Sequence, residues 1–232
     1  MHIWHKLNYE WYQRSLKRQI DLIASGLGLL FLSPVIGIVA VSVRLTLGRP
    51  VLFRQARAGL VGRSFTMFKF RTMAEIRDST GTILPDDQRI TWIGSVLRAT
   101  SLDELPELWN VLRGDMSLVG PRPLLVEYLP HYTTEQRRRH SVRPGVTGLA
   151  QTNGRNRTTW VDRLAWDVYY VDNYGLLLDC RIVVRTLATF WRSDGGIAVA
   201  KTLGKFTATA KALSDEKSGC GGSSPVTTDQ RQ

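Results

Sequence analysis

Two adjacent acids, Asp103 and Glu104, stand in a setting suited to phosphoryl chemistry. They lie in the stretch Arg98 to Pro123, RATSLDELPELWNVLRGDMSLVGPRP, at the start of a helix, since Pro106 is tolerated only in a first turn. Arg98 is upstream, and Arg122 is held between Pro121 and Pro123. A helix N-terminus with arginines around it favours an anion. A carboxylate can attack phosphorus. A magnesium ion that offsets diphosphate charge needs only one or two carboxylates besides the phosphate oxygens. The same residues also fit a plain structural role. Ser101 and Glu104 have capping-box spacing, acids at a helix start complement its dipole, and Arg122 could be a surface arginine in a tight turn.

The chemistry needs a setting, and composition narrows it. The chain has 232 residues, a net charge of +11 and a hydrophobic share of 43%, which suits one ordinary domain with extra segments. Such positive charge seeks nucleic acid, an anionic membrane or phosphorylated substrates. Two cysteines, Cys180 and Cys220, without a His/Cys cluster argue against a disulfide framework or a zinc site. The histidines His2, His5, His131 and His140 show no ligand spacing.

From Leu22 to Val43 no residue is charged, and roughly 20 apolar residues suffice to span a bilayer. Two features favour a re-entrant hairpin over a spanning helix. Ser33-Pro34 sits at the middle of the run, where Pro34 cannot donate to the Leu30 carbonyl and the Ser33 hydroxyl can bond back one turn. Both flanks are basic: Lys6, Arg14, Lys17 and Arg18 before, Arg44, Arg49, Arg54 and Arg57 after. Positive charge marks the cytoplasmic side. From the residues alone both topologies stay open. Asp21, one turn from Lys17 and three residues from Arg18, reads as a helix-end ion pair, either solvated or fixed at headgroup depth.

Further along, Pro50 to Arg54 and Ser64 to Arg71 read as strands around an Ala-Gly-Leu-Val-Gly turn, with Lys69 and Arg71 on one face. Asp78 to Arg89 is a loop. Helices are expected over Ile90 to Leu97, Leu105 to Leu112, Leu124 to Leu129 and Thr133 to His140, the last with a Thr133–Gln136 capping box. Ser141 to Thr158 reads as a Gly- and Arg-rich loop. Thr159 to Asn173 and Leu176 to Arg192 are helices whose mixed aromatic, apolar and basic faces suit either a membrane interface or a core. The tail from Lys217 is disordered by composition.

An ordered set of motifs carries a resemblance. It runs through Lys17-Arg18-x-x-Asp21, Ser33-Pro34, Lys69-Phe70-Arg71-Thr72-Met73 and Ser101-Leu102-Asp103-Glu104-Leu105-Pro106. It continues through Gly114-Asp115-Met116-Ser117, Gly120-Pro121-Arg122-Pro123, Arg143-Pro144-Gly145-Val146-Thr147-Gly148 and Asn153-Gly154-Arg155. Each motif is weak and the set is strong. It resembles the monotopic phosphoglycosyl transferases of the bacterial sugar transferase family, over roughly Lys17 to Arg192. Leu149 departs from the Trp that many relatives carry, and the tail beyond Arg192 matches nothing assigned.

The resemblance implies a mainly helical α+β fold. A re-entrant membrane helix hairpin would join a small domain with a short β-hairpin and interfacial amphipathic helices, on the cytoplasmic face of the bacterial inner membrane. The expected division is an N-terminal and membrane segment over 1–48, a catalytic domain over 49–200 and a tail over 201–232. Asp103 is implied as the nucleophile toward a UDP-sugar, with Glu104 and Asp103 at a Mg²⁺. Arg98, Arg122, Arg155 and Lys69 would bind phosphate or substrate, and Ser33 and Pro34 would make the membrane bend. UMP leaves, and undecaprenyl phosphate takes the phosphosugar. The sugar is expected to be an N-acetylated amino sugar, with a neutral hexose as the alternative. Two rivals explain less: scattered basic residues form no recognised nucleic-acid module, and a non-catalytic membrane adaptor leaves Arg98 to Pro123 without a purpose.

Overall fold

The computed structural model describes residues 16–154 and 159–191. Arg155, the basic Lys6 and Arg14, and the tail over 201–232 lie outside the described residues. The fold is mainly helical with two small two-stranded sheets.

Helix α1, Lys17–Leu47, takes up the whole uncharged run in 31 residues and continues through Pro34. Ser33 Oγ donates to the Leu30 carbonyl at 2.8 Å, the back-bond expected beside the proline. The expected ion pair of Asp21 with Lys17 and Arg18 is not formed. Asp21 is buried and its Oδ1 accepts from the Leu118 amide at 2.9 Å. Arg18 donates to the carbonyls of Val111 and Leu112 at 2.6 and 2.9 Å, and Lys17 pairs with Asp179. With both cations engaged elsewhere, the Asp21 carboxylate takes a charge-assisted bond from a backbone amide instead.

Strands β1, Leu52–Ala58, and β2, Ser64–Phe70, form an antiparallel hairpin in register from Leu52↔Phe70 to Ala58↔Ser64. Cross-strand partners share a face. Phe53 and Lys69 therefore lie together on the face that also carries Gln55 and Arg57. Phe70, on the opposite face, packs with Ile93, Leu97, Val39 and Val43, the last two from the far half of α1.

After the single turn α2, Asp86–Arg89, comes α3, Trp92–Ala99, capped by the Thr91 side chain. Gly94 is required there, because a Cβ would stand 1.9 Å from the Thr72 carbonyl oxygen. A short 3-10 turn, Leu102–Glu104, precedes α4, Glu107–Arg113, which ends on Gly114 at φ 93°. Asn110 is fully buried and stitches α4 to β2: its Oδ1 accepts from the Phe68 amide at 3.1 Å, and its Nδ2 donates to the Thr66 carbonyl at 2.7 Å.

The segment read as a loop over Ser141 to Thr158 is partly regular. Within it β4, Gly145–Thr147, pairs in parallel with β3, Ser117–Val119, and α6 covers Leu149–Gly154. Glycines make the close approach possible: a Cβ on Gly145 would lie 2.1 Å from the Gly120 nitrogen. Short strands rich in Gly carry little pattern to read. The Thr133–Gln136 capping box is present on α5, Thr134–Arg137. Helices α7, Trp160–Asn173, and α8, Leu176–Trp191, close the described chain. They build a core of Val119, Leu149, Tyr170, Tyr174 and Ile182, so the departure at Leu149 is a matter of core packing.

Candidate active site

Asp103 and Glu104 occupy the 3-10 turn just before α4. Ser101 adopts φ 54° and ψ 19°, left-handed, and makes no side-chain cap bond, so the expected capping box does not exist. A left-handed serine points its hydroxyl away from the N3 amide that a cap would serve. Glu104, free of capping, faces β2 instead. Its Oε1 accepts from Lys69 Nζ at 2.6 Å and from Arg122 Nη2 at 2.7 Å. Burial works to raise the Glu104 carboxyl, and Arg122 and Lys69 outweigh it, holding the group below its usual range. Oε2 makes no hydrogen bond among the described residues.

Asp103 has the opposite environment. It is 8% exposed, and no lysine or arginine among the described residues comes within ion-pair distance of its carboxylate. Burial, then the charge of Glu104, pushes its carboxyl up to about 6, while Lys69 and Arg98 pull the other way. Arg98 is an exposed residue whose Nε donates to the Thr72 hydroxyl at 2.9 Å, so its charge acts on Asp103 through space. The structure thus brings Lys69, Asp103, Glu104 and Arg122 together, with Arg98 at the edge.

Three further features were missed in the sequence. Glu107, the first residue of α4, is 2% exposed, and its Oε1 lies 3.1 Å from Lys69 Nζ. Burial pushes Glu107 up to about 7 despite the pull of Lys69. The signal was a third acid three residues after Glu104, easily set aside as one more helix-start acid. Arg57 shares the Lys69 face of the hairpin, and its nearness to Arg122 adds to burial in lowering its basicity. The third is a buried pair behind the site: Arg139 Nη2 donates to Asp167 Oδ2 at 2.7 Å and to the Arg122 carbonyl at 2.7 Å. Arg122 therefore presents its guanidinium to Glu104 from a backbone pinned at its own carbonyl.

The profile of the bacterial sugar transferases matches residues 12–193. The chain belongs to the bacterial sugar transferase family. It is 51% identical over 180 residues to EpsL, an uncharacterized sugar transferase of Bacillus subtilis, covering 78% of this chain and 89% of that one. It is 44% identical over 178 residues to the UDP-glucose:undecaprenyl-phosphate glucose-1-phosphate transferase of Xanthomonas campestris, covering 72% of this chain and 37% of the relative. The galactosyl transferase CpsE of Streptococcus agalactiae is 40% identical over 196 residues, covering 77% of this chain and 43% of the relative. This sugar transferase thus spans most of the first relative and less than half of the other two. The match covers every site residue described, with Asp103 and Glu104 near its centre.

Proposed function

We propose that this sugar transferase moves a hexose 1-phosphate from a UDP-hexose to undecaprenyl phosphate, by way of a phosphosugar carried on Asp103. The observation that carries the reading is the contrast between neighbours: Glu104 is neutralised by two cations, while Asp103 is buried with none in ion-pair contact. A carboxylate without a counter-ion is the better nucleophile. Its attack forms an O–P bond to the sugar-linked phosphorus and breaks the bond to UMP, which leaves with the electron pair. An oxygen of undecaprenyl phosphate then attacks the same phosphorus and frees the Asp103 carboxylate, giving ping-pong kinetics. Lys69 and Arg122, already at the carboxylates, would meet the diphosphate oxygens.

Among the described residues no group of three or more His, Cys, Asp and Glu is arranged to hold a metal. Asp103 and Glu104 nevertheless fit Mg²⁺, which takes one or two carboxylates and completes its shell from phosphate and water. The uncompensated Asp103 and the unbonded Oε2 of Glu104 are the donors that would hold it. Bound there, the ion would offset the diphosphate charge.

An amino sugar was the first expectation for the donor; the relatives' names support its alternative better, since two of them name glucose and galactose. Part of the loop behind the amino-sugar reading is also engaged elsewhere, as Asn153 Oδ1 accepts from Arg185 Nη1 at 2.9 Å.

The same reading places the protein on the cytoplasmic face of the inner membrane with α1 re-entrant. A straight helix of 31 residues is about 46 Å long, more than the roughly 30 Å hydrocarbon core. If it spanned, only one end could touch the catalytic body. Yet Arg18 and Asp21 near one end bond to Val111, Leu112 and Leu118, while Val39 and Val43 near the other pack on Phe70, Ile93 and Leu97. Between them every residue from Leu30 to Pro34 is exposed. On α8, Leu177, Val184 and Leu187 are 78%, 64% and 56% exposed, an apolar face suited to the interface.

The test is UMP release from UDP-glucose with Mg²⁺ and undecaprenyl phosphate. Wild type turns over and Asp103→Asn does not; full activity in the variant would remove Asp103 as nucleophile.

A further inference from the structure

A cavity of about 800 Å³ opens beside the catalytic corner, between the start of β1 and the segment that follows β2. That volume lies inside the roughly 300–1,000 Å³ of small-molecule sites. Its apolar wall is Val51, Leu52, Phe53, Phe70 and Met73. Its polar rim holds three arginines, Arg54, Arg71 and Arg89, against one acid, Glu75. We propose that this groove binds the lipid acceptor, with the polyprenyl monophosphate at the arginine rim and the first isoprene units along the apolar wall. The inference rests on the acceptor named under the proposed function and adds the place where it binds.

Four observations carry it. The rim is cationic, as a phosphate requires, and its charges differ in availability. Arg71 donates to the carbonyls of Leu47, Arg49 and Met73, and Arg89 to Ala74 and Asp86; they shape the rim and supply field. Arg54 stands over the Phe68 ring at 5.7 Å and pairs with no carboxylate among the described residues, so it is the cation free to engage an anion.

Second, the wall is continuous with the membrane element. Leu47, Val51 and Leu52 pack against the cluster in which Val39 and Val43 of α1 are buried, so apolar packing runs from α1 to the groove wall. Third, one chain of contact and one through-space charge join the groove to the carboxylates. Phe53 is 45% exposed and is the cross-strand partner of Lys69, which bonds Glu104. Thr72, in the groove wall, accepts from Arg98, whose charge is felt by Asp103.

Fourth, beyond the single face of its uracil a UDP-sugar has little to place along an apolar wall of five residues. A lipid phosphate has both halves of the required chemistry.

The experiment uses the full chain in lipid nanodiscs and separates the two half-reactions. With UDP-glucose alone, UMP release reports the donor step. With undecaprenyl phosphate added, steady-state turnover reports the acceptor step. Arg54→Glu should leave donor-only release within twofold of wild type and raise KM for undecaprenyl phosphate at least tenfold. An unchanged KM overturns the proposal, and so does equal loss of the donor step, which would make the groove part of the donor site. If wild type shows no donor-only release, the covalent reading fails, and the groove is still tested by a photoactivatable polyprenyl phosphate. The proposal requires crosslinks at Phe53 or Met73 that excess undecaprenyl phosphate removes. Crosslinks elsewhere, or crosslinks removed by phosphatidylglycerol or by UDP-glucose, overturn it.

Discussion

Arg139 and Asp167 form a closed pair, one cation on one acid, 2% and 5% exposed at their side chains and bonded at 2.7 Å. On the other side of Arg122, three acids stand together, and Lys69 and Arg122 pair with Glu104 and Glu107 but leave Asp103 without a close partner. Both clusters are held in place by long-range packing, and both touch Arg122, one through its carbonyl and the other through its guanidinium. Where charge only supports the fold, it is matched and sealed. In the open cluster an acid is left in excess, the imbalance that the proposed chemistry would use.

Substitutions should separate the two clusters by kind of damage. The largest effect is expected at the open one: Asp103→Asn lowers turnover at least about 1,000-fold, while Tm holds or rises, because a buried charge beside Glu104 has been removed. A large fall in Tm would mean that Asp103 is structural. At the closed cluster the damage reverses. Asp167→Ala strands Arg139 and costs about 3–5 kcal/mol, which for a domain of this size lowers Tm by about 10 °C; an unchanged melting curve would break the comparison. Glu107→Gln lies between them, loosening Lys69 and lowering kcat about 10- to 100-fold, the range expected for a loss behind the proposed metal ligand, with KM for the donor less affected.

The smallest effect is in pH. His140 packs beside Arg139, and its Nδ1 donates to the Gly59 carbonyl at 3.2 Å. Burial, then the Arg139 charge, lowers its folded value from 6.5 to about 4. The unfolded chain therefore binds the proton first, and stability falls as pH drops from about 6.5 towards 4. Asp103 has the other sign: with its folded value raised, protonation below pH 6 stabilises the fold and would silence the proposed nucleophile. Thermal melts of His140→Gln should be flatter over that window than those of wild type. The donor half-reaction should fall on the acid side of pH 6.

How much of this was legible beforehand follows the distance over which residues interact. The uncharged run, the hairpin and the Thr133 box are local patterns, and all three are present, although the first strand is Leu52–Ala58 rather than Pro50 to Arg54. The pairing of Asp103 and Glu104 was legible as a motif, but their opposite charge environments were not. Those depend on Lys69, 35 positions away from Glu104, and on Arg122. Asp21 was read against its neighbours Lys17 and Arg18, whereas its partner is the amide of Leu118, 97 positions on. The left-handed Ser101 hid behind a capping spacing that its backbone angles cancel. The parallel pairing of β3 with β4 has too few side chains to leave a pattern.

Topology admits a separate check on α1. Cysteines introduced at Glu10 and Thr46 should both resist an impermeant periplasmic reagent in intact cells, and labelling of only one would show a spanning helix.

The central claim is that one carboxylate takes the phosphosugar, and a quenched half-reaction addresses it directly. Full-length protein is mixed with UDP-glucose carrying radiolabel in the sugar-linked phosphate, stopped with acid before acceptor is added, and digested for peptide mapping. The account predicts label on the peptide containing Asp103, released as phosphosugar by later nucleophilic attack. Label on another residue, or acceptor-dependent turnover with no labelled protein at any time point, would contradict it.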